Sequence, residues 1–184
     1  MFPFRFLLGA LLFGAVAPVL AQPYLTGLSA TWSDEFHEWT LYGEEEDQEG
    51  TLQLRFPARR SYTDWTYQLA DQQGRIQPKW PDRRDEWELR SGATIVTARA
   101  LWRNDPREWR ISDGTYTLTF RTRYGNRWDE WELRDNRLGD FRIYTDYEND
   151  PRDWTIEDGL AEELPFGLRI MLTYIALYHA LPLE

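Results

Sequence analysis

The chain contains no cysteine, so no disulfide can form in it and no thiolate is available as a nucleophile or metal ligand. The same absence removes the attachment point of a lipoprotein anchor. Histidine is almost missing too: His37 and His179 lie far apart, and no His/Cys zinc pattern can be assembled from them. There is no G-x-S-x-G, no P-loop and no dinucleotide fingerprint, which leaves nucleophilic hydrolysis and nucleotide binding without support. Positive charge is scarce relative to negative, with 21 Lys+Arg against 31 Asp+Glu and a net charge of −10, and Lys79 is the one lysine. A surface of that sign repels phosphate backbones and anionic headgroups, which argues against nucleic acid as a partner.

Long apolar runs occur only near the two ends of the chain. At the start, Arg5 precedes an apolar core over residues 6–16, and Val19-Leu20-Ala21 ends in a small residue. This predicts a signal peptide over residues 1–21, because the core is shorter than the roughly 20 residues that cross a bilayer. The mature chain, residues 22–184, is expected to be exported, to the periplasm or beyond, and is sized for a single domain.

What the middle of the chain has in quantity is repetition. Asp85-Glu86-Trp87-Glu88-Leu89-Arg90 returns letter for letter as Asp129-Glu130-Trp131-Glu132-Leu133-Arg134, and Asn104-Asp105-Pro106-Arg107-Glu108-Trp109 returns as Asn149-Asp150-Pro151-Arg152-Asp153-Trp154. Trp39, Trp65, Trp87, Trp109, Trp131 and Trp154 are spaced by 26, 22, 22, 22 and 23 residues, and each follows an Asp or Glu. Within a unit the apolar residues alternate with charged ones, the period of a strand. A second strand follows each Trp strand: Tyr116, Leu118, Phe120 and Tyr124 alternate with Thr and Arg, and Phe141, Ile143, Thr145 and Tyr147 do the same. Aromatics close these second strands at Trp80, Trp102, Tyr124 and Tyr147.

Ser91-Gly92, Asp113-Gly114 and Asp158-Gly159 are expected to supply the positive φ of tight hairpin turns, and Asn-Asp-Pro-Arg to place Pro where the chain leaves the ladder. The acidic run Glu44-Glu45-Glu46-Asp47 falls in a longer early loop. Six hairpin units predict eleven or twelve antiparallel strands in up-and-down order. Their apolar face must be covered. The cover is the last segment, residues 165–181, which has no alternation and would be apolar on every side as a helix, with Arg169 and His179 as polar exceptions near its ends. Seventeen helical residues reach about 26 Å, short of a bilayer core of about 30 Å but matched to a strand of eight or nine residues.

The expected fold is therefore mainly β: an up-and-down barrel of about 12 strands, built from 22-residue hairpins around a hydrophobic C-terminal helix. Its core is predicted to hold Trp39, Trp65, Trp87, Trp109, Trp131 and Trp154, with Leu118, Phe120 and Ile143 from the strands and Leu172 and Ile175 from the helix. A propeller would have too few blades to close, and an open meander would leave a row of Trp in water.

This pattern resembles the tubby-like barrel superfamily, including its LURP-one-related and scramblase-like branches. The resemblance is carried by short W-x-x-W-x-L-like phrases, Asp-Gly turns, and Trp154-Thr155-Ile156-Glu157-Asp158-Gly159 followed by a wholly apolar terminal segment. It implies twelve strands around a hydrophobic helix. Tubby members bind phosphoinositides through a basic cluster, and that cluster has no counterpart here.

Three functions remain in view. The first is a non-enzymatic exported module that binds or scaffolds in the envelope, with a protein or glycan partner and no cofactor. The second is a membrane-lipid interaction protein that uses the terminal helix, although integral insertion is not expected. The third is a carboxylate-dependent hydrolase drawing on pairs such as Asp85-Glu86 and Asp129-Glu130, a reading opposed by their recurrence in every unit. Asp146, Glu148, Asp150 and Glu157 have the spacing of calcium-loop ligands, but Pro151 stands where that loop needs Gly.

Overall fold

In the computed structural model, residues 23–45, 47–59 and 61–182 are described, and the expected signal segment 1–21 lies outside them. Alternation in the sequence becomes twelve strands: β1 Leu25–Ala30, β2 Glu38–Gly43, β3 Glu49–Leu54, β4 Trp65–Leu69, β5 Gln72–Pro78, β6 Glu86–Ser91, β7 Thr94–Trp102, β8 Asp105–Ser112, β9 Thr117–Thr122, β10 Glu130–Asp135, β11 Gly139–Tyr147 and β12 Asp150–Leu160. Each pairs antiparallel with its sequence neighbours, and β1 pairs with β12, so the sheet closes into a barrel with no free edge.

Residues of alternate parity face inward, as β2 shows in Trp39 and Leu41, β6 in Trp87 and Leu89, and β8 in Trp109 and Ile111. All six repeat tryptophans sit on even-numbered strands and are buried, as are Leu118, Phe120 and Ile143. The space they enclose is filled by α1, Phe166–Ala180, in which every residue from Phe166 to Leu177 is buried, Leu172 and Ile175 included. A helix apolar on all sides is stable only where every side meets apolar partners, and the barrel supplies them. Gly167 lets the helix approach closely, since a Cβ there would lie 3.2 Å from the side chains of both Leu89 and Val96.

Up-and-down topology gives the barrel two unlike rims. Turns after odd-numbered strands gather at one, the loops 31–37, 55–64, 79–85, 103–104, 123–129 and 148–149. The turns after even-numbered strands gather at the other, where β1 begins and the 161–165 linker turns the chain inward. The helix enters there and ends at the first rim, where His179 packs on Trp109, Trp128 and Trp131 and Tyr178 on Trp87.

Two turn assignments differ from the sequence reading. Gly92 and Gly114 do adopt positive φ, of 55° and 92°, but Gly159 does not; it lies inside β12, and the glycine at the β10–β11 turn is Gly139, with φ 91°. Asp158 is held within the strand because its carboxylate turns inward to the helix. In the Asn-Asp-Pro-Arg phrases it is Asn that makes the turn, Asn104 at φ 63° and Asn149 at φ 60°, while Pro106 and Pro151 are already second residues of β8 and β12. Asn tolerates the left-handed region that Pro cannot enter.

Candidate functional site

The inward tryptophans do more than fill space. Each indole N–H is a buried donor, and five of the six reach the backbone carbonyl three residues earlier: Trp65 to Tyr62, Trp87 to Arg84, Trp109 to Pro106, Trp131 to Trp128 and Trp154 to Pro151, at 2.7–3.1 Å. Those carbonyls belong to the first rim's turns or to the residues leading out of them. Each Trp therefore latches part of the rim to the core. Trp39 breaks the series, its Nε1 without a partner and its ring stacked instead on Phe36.

Above these latches a second set of aromatics points outward. Trp32, Phe56, Trp80, Trp102, Tyr124, Trp128 and Tyr147 are exposed, and all stand at this rim; Ile95, on β7 near the other end, is the remaining large apolar residue exposed among the described residues. Strand parity alone puts Trp102 on the side of Ala98 and Ala100, and Tyr147 on the side of Ile143. The register shifts between Ala100 and Trp102, and between Thr145 and Tyr147, so both leave the interior and reach 62% and 71% exposure. Tyr124 likewise departs from the inward face expected for it: Thr122 is the last inward residue of β9, and Tyr124 is exposed.

Three of the exposed indoles are fixed by one device, an N–H donated to a carboxylate six residues on: Trp32 to Glu38 at 3.1 Å, Trp80 to Glu86 at 3.2 Å and Trp102 to Glu108 at 2.8 Å. With the ring edge tied down, what each indole offers to a partner is its face. The aromatic-x5-Glu spacing is written in the sequence, and it is the signal by which these residues could have been found.

Carboxylates at the rim are almost all occupied. Arg83 forks onto Asp85, Arg107 onto Asp105, Arg127 onto Asp129 and Arg152 onto Asp150, each partner two residues away. The hydrogen-bonded guanidinium holds each of these four carboxyls below the usual aspartate range. Glu86 is taken by Lys79 and Trp80, and Glu130 by Arg123 and Arg142. The Asp-Glu pairs singled out as glycosidase candidates are thus bound into separate ion pairs. The calcium-spaced acids are not brought together either: Asp146 accepts from Thr155, Glu148 pairs with Arg127, Asp150 with Arg152 and Glu157 with Arg142. Among the described residues no group of His, Asp and Glu is gathered as a metal would need.

A cleft of ≈ 870 Å³ opens at this rim between the 79–85 loop and the β7–β8 turn. Arg84 and Asp82 line one wall and Arg99, Trp102, Arg103 and Asp105 the other, with His179 at the floor. Burial pulls the His179 imidazole down to about 4, and its Nε2 has no hydrogen-bond partner.

The opposite rim has a different character. There Arg169, one of the two polar exceptions near the helix ends, is fully buried: its Nε donates to Asp158 Oδ2 at 2.9 Å, and its Nη atoms donate to the carbonyls of Leu164, Leu160 and Ala161 at 2.7, 3.1 and 3.0 Å. Burial raises the Asp158 carboxyl, while Arg169 and the backbone N–H of Leu160 and Leu25 act against that rise. Tyr24 covers the guanidinium face at 4.9 Å. This pair fastens the helix to the end of β12.

Comparison with known proteins finds no matching family model, no matching curated protein and no matching solved structure.

Proposed function

We propose that this chain is a non-enzymatic, exported binding module of the cell envelope, and that it meets its partner with the aromatic rim. The carrying observation is the segregation of exposed aromatics: seven large side chains at one end of the barrel, on strand ends and loops most of which core tryptophans latch in place. Exposed aromatics grouped on rigid supports are what recognition surfaces use, because little conformational freedom is lost on contact. Occupied carboxylates leave little for acid-base chemistry at this rim. The resemblance to the tubby-like superfamily is retained as a proposal of kinship, supported by the barrel-around-a-helix plan.

A second reading, lipid interaction, is favoured by the same Trp and Tyr crown, since such residues sit well at a membrane surface. Release of the terminal helix is the costlier route: it would uncover the residues from Phe166 to Leu177 and separate Arg169 from Asp158. No helix of the described residues is long and apolar enough to cross a membrane.

Co-sedimentation tests the proposal. The wild-type protein is expected to pellet with isolated envelope material, and the variant Trp80→Ser/Trp102→Ser/Tyr147→Ser to remain in the supernatant with an unchanged thermal midpoint. Equal pelleting of the two would remove the rim from the function. Flotation with protein-free vesicles, lost in the same variant, would favour the lipid reading.

A further inference from the structure

We propose that the cleft between the 79–85 loop and the β7–β8 turn binds a glycan whose sugar rings carry carboxylates. The inference deepens the rim reading above and rests on it.

Charge is the first argument. In a chain of net charge −10, this cleft gathers four arginines against three aspartates. Arg83 is spent on Asp85, and Asp105 on Arg107 from outside the cleft. Among the described residues no carboxylate forms an ion pair with Arg84, Arg99 or Arg103, although Arg99 lies within the field of Asp85 and Glu86. Arg84 is engaged by the carbonyls of Pro81 and Arg83 and by the Tyr178 hydroxyl, and Glu86, across the ladder from Arg99, is already held by Lys79. The Arg99 and Arg103 guanidiniums, on the same wall, match a carboxylate in plane and spacing.

The walls are rigid, which is the second argument. Trp87 donates to the Arg84 carbonyl on one side and Trp109 to the Pro106 carbonyl on the other, so both walls hang from the core. Trp102 stands beside the arginines with its N–H fixed on Glu108 and its ring exposed. An indole that presents only its face suits the C–H face of a sugar ring, and adjacent guanidiniums suit a carboxylate on the same ring.

Other occupants fit less well. The closed barrel has no strand edge for an extended peptide to pair with. The lining is too polar for the apolar face of a helix. A volume of ≈ 870 Å³ is at the upper end of what a drug-sized ligand fills, and it admits more than one sugar unit. Carboxylated sugars occur in uronate polymers and, as the free lactyl acid, in peptidoglycan strands without stem peptides, and the chemistry of the cleft is common to the two.

Isothermal titration of the purified protein with a hexuronate oligomer, with peptide-free peptidoglycan fragments and with a neutral glucan oligomer tests this directly. Binding of at least one acidic probe and not of the neutral one is expected, and which acidic probe binds identifies the source. Arg99→Gln/Arg103→Gln and Trp102→Ala should each weaken it by about tenfold or more, the loss of one or two charge-assisted bonds or a stacking face, whereas Arg137→Gln at the opposite rim should change nothing. Equal binding of the neutral oligomer, or indifference to the arginine pair, overturns the inference. So does arginine-dependent binding to anionic vesicles with no acidic sugar bound, which would assign the cleft to lipid phosphate. If no probe binds yet envelope pelleting still depends on the aromatic rim, the glycan inference falls and the rim reading stands; if pelleting is also rim-independent, both fall.

Discussion

The two rims of this barrel are made by the same hairpins and yet are built differently. At the rim where the helix enters, several connections are tight, such as Ala70-Asp71 and Gly92-Ala93, and the main polar feature, Arg169 with Asp158, is buried and fully bonded. At the rim where the helix ends, loops are generally longer, aromatics are exposed and, among the described residues, Arg99 and Arg103 have no ion pair. One end spends its polar groups on holding the fold. The other holds polar and aromatic groups ready for something else. The lesson is that a repeat need not make a symmetric object: antiparallel order sends alternate connections to opposite poles, and variation can accumulate at one of them without touching the ladder.

If that division is right, damage should be graded by location. The largest effect is expected from Ile175→Arg, which places an unpaired charge at a fully buried helix position; soluble protein should be lost from expression, against a total stability of about 5–15 kcal/mol. Arg169→Ala comes next, because it leaves Asp158 buried without its partner; denaturant titration should show a loss of roughly 3–5 kcal/mol. A comparable loss from Trp102→Ala would mean that the rims are not functionally divided.

His179 sets a smaller, pH-dependent effect at the helix end. Its folded value of about 4 lies below the ordinary 6.5, so folding favours the neutral ring. The associated stability is present above about pH 6.5 and drains away as pH falls towards 4, on the order of 3 kcal/mol in all. His179→Phe should flatten that part of the pH profile, read as the difference in thermal midpoint between the two proteins. The smallest expected change is that of Trp102→Ala, under about 1 kcal/mol, since the ring is exposed and its one hydrogen bond lies at the surface.

The sequence made the scaffold legible because its signals are local and repeated. A 22-residue beat with two-residue alternation placed the six tryptophans inside, and the loss of alternation after residue 164 marked the central helix. Register shifts are harder to read: nothing in Ala98-Arg99-Ala100-Leu101-Trp102 announces that parity fails before the last residue. Asp158 looked like a turn residue because Asp-Gly commonly is one; its true partner, Arg169, is paired through the closure of the barrel around the helix. The cleft was invisible for a related reason. Its arginines come from the 79–85 loop, from strand β7 and from the turn after it, and which of them lack ion pairs depends on where Asp85, Glu86 and Asp105 have already been committed.

Chain direction has a practical consequence. Because β1 starts at Leu25 on the helix-entry rim, while Leu181 follows the helix at the aromatic rim, the two ends of the described chain leave the barrel from opposite poles. A tether or affinity tag joined ahead of Leu25 would hold the barrel with its aromatic pole facing away from the support, and one joined after Leu181 would emerge in the middle of that pole. Immobilisation from the N-terminal side is therefore the orientation that leaves the rim accessible to a partner.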